Sequence, residues 1–490
     1  MKKILLAVLA MASLSAYAQK NTFFEQSFWK GNTDLATIKA EIAKGSNPSQ
    51  LNQMSFDASV MAINNNAPAE SILFLLAQPG NDVNKLTHDG RTYLFWAASK
   101  GNLPVMEYLL KKGAKVDLQD SHGYSPLTFA AVGGQANTKV YDLLIANGAN
   151  IKTDLNHDGA NALLIASAND KDFALTNYFV SKGLSLSSTD AAGNTAFNYV
   201  ARSGNIDLMN KLIAKGVKYN DNAILMAAQG GRGSSNGLAV FQYLEGLKLK
   251  PAVVGSNGET ALFSVARKPK QEEVINYFLS KGVDVNLADK DGNTAFITAA
   301  GFNRDLSALA LLSNGVKDIN QVNLNGVSAL AMAVRSNSAE VVEFLLSKGA
   351  NLNVVDKEGN NLAYYLFQSY GPRGKDDFDA KLKVLSDKGL NLAGIQPNGN
   401  SLYHLAVAKN DLALAKLVSS YKVDVNVKNK EGYTALHKAA MTAKDVELMQ
   451  YLISVGAKKD IVTEFKESPY DLAAENEFLT KNKVSIDFLK

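Results

Sequence analysis

A chain of 490 residues with 51 Lys and Arg against 47 Asp and Glu is close to neutral, and it carries no basic tract of the kind that tracks nucleic acid. The absence of cysteine removes disulfides, thiol catalysis and cysteine metal sites together. With 46% hydrophobic residues a substantial core is expected, yet one globular core of this length would be unusually large, which a stack of repeated units avoids.

The first residues read as an address. Lys2 and Lys3, the apolar run from Ile4 to Leu9 and the small-residue end Ala16-Tyr17-Ala18 make residues 1–18 a secretory signal peptide, with cleavage expected before Gln19. The run is too short to span a bilayer, and no later stretch is apolar enough, so no membrane span is expected after signal removal. A bacterial lipoprotein needs a cysteine just after its cleavage site, and Gln19 stands there instead. The destination expected is periplasmic or secreted.

From Phe23 to Gly45 and from about Met54 to Gly80 the chain has two irregular helical units, as the terminal units of a stack require. The register then becomes clear. An opening glycine recurs from Gly90 to Gly432 at intervals that cluster at 33 and 34 residues, and a helix-ending glycine follows in phase from Gly113 to Gly456, including Gly246 and Gly315. Between the two glycines, a Thr, Ser or Asn such as Thr92, Ser125, Asn161 or Thr294 stands where a side-chain oxygen caps a helix N-terminus. The closing unit begins near Lys466, with Pro469 at a first helical position.

The clearest unit runs from Gly432 to Ala457. Thr434 caps the first helix, Ala439 and Ala440 allow close approach of a neighbour, and Val446, Met449, Leu452 and Ile453 fall at helical spacing before Gly456. T-A-L-H-K-A-A at 434–440 followed by Y-L-I-S-V-G-A at 451–457 resembles the ankyrin repeat. The resemblance implies an all-α ankyrin-repeat solenoid of about fourteen helix–turn–helix units with short β-hairpin fingers. Two features depart from the family pattern: alanine usually replaces the proline after the capping residue, and the following histidine survives only at His404 and His437.

One junction differs. Between Gly216 and Ala223 the chain offers only V-K-Y-N-D-N, about six residues fewer than other fingers. A discontinuity is expected there, dividing the repeats into residues 21–219 and 220–490. Three units are long instead, with extra residues after the first helix at 133–138, 230–237 and 369–377. These segments are either tolerated loops or a partner-contacting edge, with Arg232, Tyr370, Arg373 and Lys375 as its candidate contacts.

The search for chemistry yields less. His404 and His437 occupy the repeat's own histidine position, where a structural hydrogen bond is expected. His88, His122 and His157 fall in successive fingertips beside Asp89, Asp120 and Asp158, but fingers about 10 Å apart are too widely spaced to share a metal directly. Asp154-x-Asn156-x-Asp158-Gly159 imitates the start of a calcium loop, although Ile165 holds the place of its bidentate glutamate. The series Trp96, Phe129, Ile165, Tyr199, Met226, Met332, Tyr365 and Leu405 is either a packing ladder between first helices or an exposed groove stripe. No nucleophile, base and orienter set is present, so no enzyme and no cofactor are expected.

Two functional classes follow. In the first, the chain is an exported protein–protein interaction scaffold, a monomer that takes no nucleic acid and binds a protein partner through its inserted loops and on a concave surface, the latter as the family resemblance implies. In the second, the chain binds a small ligand, glycan or ion.

Overall fold

The structure, a computed structural model, describes residues 21–490 apart from 32, 232 and 372–374; the signal segment 1–18 lies outside the described residues. Among them there are 27 α-helices and no strand: Leu35–Ala43 stands alone after two short 3-10 turns, and the rest follow in thirteen consecutive pairs. No helix among the described residues is long and apolar enough to cross a membrane.

The chain forms two compact units, one ending at Asn236 and one starting at Gly237. In both, helices start where a short polar side chain replaces the missing intrahelical acceptor. Ser125 Oγ accepts from the backbone N–H of Leu127 and Thr128 at 3.2 Å each, with Pro126 at the first helical position. Second helices are started by Asn102, Asn205, Asp305 and Asp411 in the same way. Most end at a glycine in the left-handed region, as at Gly113 (φ 88°) and Gly456 (φ 101°). Gly246 and Gly315 depart from this: Gly246 is the last residue of the helix Leu238–Gly246, where Lys248 takes the left-handed turn at φ 70°, and Gly315 follows Asn314 without a positive φ.

The fingers are thinner than hairpins. Only three isolated antiparallel bridges join their arms among the described residues, at Ala288–Thr294, Val322–Ser328 and Val355–Asn361. An Asp or Asn side chain does the rest, turning the chain by accepting from backbone N–H groups two and four residues on, as Asp120 does from His122 and Tyr124 at 2.9 Å. Fingertips also bond to their neighbours through the backbone: Ser121 N donates to Asp89 O, Lys290 N to Asn257 O and Leu324 N to Asp291 O, each at 2.8 Å.

A second set of inter-repeat bonds lies at the opposite end of the first helices, where their last carbonyls lack partners. The Asn303 amide donates to Ala266 O and Lys268 O, Asn337 to Ala300 O and Asn303 O, and Asn476 to Ala440 O and Ala443 O, at 2.8–3.0 Å. Lys381 replaces the amide in one unit, its Nζ 2.8 Å from Val334 O and only 2% exposed. In two of the long units the inserted residues serve the same purpose. Gln135 donates to Ser99 O at 3.2 Å, and Asn236 donates to Ala201 O and Arg202 O. In the third, residues 375–377 are not loop but the start of a longer helix, Lys375–Asp387.

At the shortened finger, side chains supply what backbone does elsewhere. Asn220 Nδ2 donates to Gly193 O at 2.8 Å and its Oδ1 accepts from Asn198 at 2.7 Å, while Thr195 Oγ1 donates to Lys218 O at 2.6 Å. The Tyr219 ring lies 4.7 Å from that of Phe197. The helices Ala196–Ser203 and Asn222–Gln229 therefore pack directly on each other inside the first unit.

Candidate functional site

The inner face of the second unit is built from three successive fingers and the helices that follow them, Ala261–Val265, Ala295–Phe302 and Ala329–Ser336. They enclose a cleft of about 670 Å³ lined by polar finger residues, among them Asn257, Asp289, Lys290 and Asp291, and by Phe263, Ile297, Phe302 and Met332 from the helices. Phe302 is 52% exposed, and Leu324, on the neighbouring fingertip, is 58% exposed. Leu324 sits over Gly292, where a Cβ would come within 3.1 Å of its Cγ; the left-handed φ of 78° and the closeness both call for glycine. Phe302 thus stands in water in the cleft wall, and Leu324 on the fingertip bonded to the lining residue Asp291.

Charge in the cleft is unevenly committed. Asp289 accepts from Asp291 N, Asn293 N and Asn293 Nδ2, and Glu259 accepts from Asn257 N at 3.0 Å, so both are used in shaping fingers. The Arg267 guanidinium lies 4.3 Å from the Phe302 ring centroid, a cation–π distance. Its repeat position recurs at Arg335 and, in the first unit, at Arg202.

The residues singled out in the insertions fare differently. Arg232, Arg373 and the side chain of Lys375 lie outside the described residues. Tyr370 is half-buried, its ring edge-on to Phe378 with centroids 5.0 Å apart, and its carbonyl accepts from Lys409 Nζ at 3.0 Å.

The fingertip histidines are closer together than helix spacing suggested. Asp89 Oδ2 lies 3.4 Å from His88 Nε2, 3.3 Å from His122 Nε2 and 3.1 Å from Arg91 Nη1, so one carboxylate ties two fingers. Fingertips touch through their backbones, which shortens the distance set by the helices behind them. His157 instead packs on Gly123, where a Cβ would meet its ring at 2.2 Å. Among the described residues no three His, Asp or Glu side chains are grouped to hold a metal. In the calcium-like stretch, Asp154 accepts from Ser125 Oγ at 2.5 Å and burial pushes its carboxyl up, while Asn156 Oδ1 accepts from Asp158 N and Ala160 N.

Six of the eight members of the aromatic and apolar series are buried. Trp96, Ile165, Tyr199, Met226, Tyr365 and Leu405 are each 8% exposed or less, and Trp96 meets Phe129 edge-on at 5.6 Å. Tyr199 and Tyr365 donate to the finger carboxylates Asp190 and Asp356. These six form a packing ladder, whereas Phe129 and Met332 are only half-buried and Met332 lines the cleft.

Models of ankyrin repeats match residues 59–154, 224–323, 262–356 and 377–453. The chain belongs to the ankyrin repeat family. Ankyrin repeats generally mediate protein–protein interaction. Similar proteins include the E3 ubiquitin-protein ligase KEG of Arabidopsis thaliana, 26% identical over 56% of this chain and 18% of that protein. The human transient receptor potential cation channel subfamily A member 1 is 24% identical over 72% of this chain and 32% of its own length. The nuclear factor NF-kappa-B p105 subunit of Gallus gallus is 35% identical over 30% and 15%. The similarity thus spans less than a third of each of these proteins.

The cleft residues Arg267, Lys290 and Phe302, and Leu324 on the neighbouring fingertip, escaped sequence reasoning. The signal for Arg267 was present in its register with Arg335, whereas Phe302 reads as one more apolar residue ending a helix.

Proposed function

We propose that this ankyrin protein is a non-catalytic interaction scaffold that binds a protein partner on the inner face of its second unit, between the fingers and first helices from Asn257 to Met332. The observation that carries the reading is Phe302, a cleft-lining ring more than half exposed, together with Leu324, exposed on the fingertip whose backbone bonds to the cleft residue Asp291. Exposed apolar groups clustered at a concave site mark a binding surface. Residues of the inserted segments, Arg232, Tyr370, Arg373 and Lys375, are proposed as a secondary edge of contact. The cleft volume of about 670 Å³ also falls in the range of small-ligand sites, which keeps a small ligand as a second reading.

The experiment is site-specific photocrosslinking in the full chain, with the crosslinker at position 302 or 324 and, as control, at the outward-facing position 383. Protein adducts confined to the inner face support the scaffold. Equal adducts at all three positions, or none at 302 and 324, refute it.

The proposal includes export: the charged start, short apolar run and Ala16-Tyr17-Ala18 end support removal of residues 1–18. N-terminal sequencing of the native protein should begin at Gln19; a chain retaining Met1 in the cytoplasm refutes this.

A further inference from the structure

We infer that the partner segment taken by this cleft is acidic, carrying carboxylates next to an apolar side chain; the inference rests on the proposed scaffold reading and names the chemistry of its ligand. The argument starts from which charges are already spoken for. Of the cleft's carboxylates, Asp289 and Glu259 are engaged by finger backbone, and only Asp291 has no hydrogen bond to its carboxylate among the described residues. The cations are in the opposite position. Arg267 and Lys290 line the cleft and Arg335 stands one turn from the lining residue Met332, yet none of the three has a carboxylate within ion-pair distance among the described residues.

Geometry sharpens the preference. Stacking at 4.3 Å on Phe302 holds the Arg267 guanidinium over an aromatic face, so its N–H edges remain free for the two parallel bonds that a carboxylate accepts. The same Phe302 ring, with Met332 also lining the cleft, offers apolar surface within reach of that charge. A ligand that satisfies both needs a carboxylate and an apolar group close together, which an acidic peptide segment has. A nucleic acid strand also presents anions, but its continuous phosphates would have to pass Asp289, Asp291 and Glu259 along the fingers. A basic segment would meet three uncommitted cations and lose affinity on desolvation.

The test is selection of random twelve-residue displayed peptides on the full chain, repeated on Phe302→Ala, on the double variant Arg267→Glu/Arg335→Glu and on Lys383→Glu as an exposed control. Urea unfolding curves of each variant verify the fold. Peptides enriched on the wild type should combine Asp or Glu with Leu, Phe or Trp. Their affinity by fluorescence anisotropy should fall about tenfold or more in the charge-reversed variant, fall in Phe302→Ala, and be unchanged in Lys383→Glu. Peptides that need Phe302 but are neutral or basic, and indifferent to the arginine reversal, overturn the acidic assignment and leave the scaffold standing. Absence of any Phe302-dependent peptide overturns both. Tighter binding of a single-stranded oligonucleotide than of the selected peptides overturns the assignment in favour of nucleic acid.

Discussion

Replacing Asn337 with alanine tests whether the amide bonds between repeats hold the second unit together. The side chain is 2% exposed and donates to Ala300 O and Asn303 O at 2.8 Å each, while its own Oδ1 accepts from Ser338 N at 2.8 Å. Those carbonyls end the helix Ala295–Phe302 and have no intrahelical donor. Alanine leaves them buried without water, and each unsatisfied group costs about 1–3 kcal/mol, so a loss of about 3 kcal/mol is expected after partial relaxation. Because neighbouring repeats stabilise each other only across their shared interface, the loss should be local. Hydrogen exchange should show faster opening of Ala295–Phe302 and Ala339–Ser347, with urea unfolding of the second unit shifted to lower denaturant. Asn325→Ala, on an exposed fingertip, is the control and should stay within about 0.5 kcal/mol of wild type. If Asn337→Ala matches that control, the carbonyl-capping amides are incidental and the stack is held by apolar packing alone.

The buried Lys381 has its ammonium pulled down to about 8 by desolvation, below the ordinary 10.5, so between those values the unfolded chain keeps a proton the folded one has released, and stability rises with pH. The stability advantage of Lys381→Met over wild type should therefore shrink by about 2–3 kcal/mol from pH 7 to pH 10, read by urea titration; a constant difference refutes the shift. His404 is held neutral by burial, its Nδ1 accepting from Ser401 N at 3.1 Å and its Nε2–H donating to Tyr433 O at 3.0 Å. Its lowered value means stability is lost as pH falls below about 6.5, where the unfolded chain protonates first; His404→Gln should flatten that loss, and an unchanged acid limb counts against it. For the proposed division of the chain, two unfolding steps are expected, with the first proteolytic cut between 216 and 237; one transition seen by all probes and a first cut elsewhere would count against it.

The repeat architecture was legible because its determinants are local and periodic. A capping Thr or Ser, an apolar set at helical spacing and a left-handed glycine each act within a few residues, and their recurrence from Gly90 to Gly456 names the unit without any knowledge of its neighbours. Gly246 is drawn into its helix instead, and Gly315 does follow its helix as expected but without the left-handed turn. Glycine permits a left-handed turn but does not compel one, and at the first of these the strain fell on Lys248 instead.

What stayed hidden depends on pairs of residues more than thirty positions apart. A deletion before Ala223 was visible, but its repair by Asn220 reaching Gly193 and Asn198 was not, since an asparagine in a short loop also reads as an ordinary turn residue. Gln135 and Asn236 looked like loop content and proved to be inter-repeat bonds. The cleft is the extreme case. Arg267, Lys290 and Phe302 come from three different segments, and what distinguishes the two cations is that no carboxylate pairs with them among the described residues, a property that no residue carries in its own sequence neighbourhood. A repeat that evolves a binding face does so by leaving certain positions of an otherwise self-satisfying lattice unmatched. The informative positions in this family are then those where the pattern supplies a charge and the adjacent repeat supplies no counter-charge to meet it.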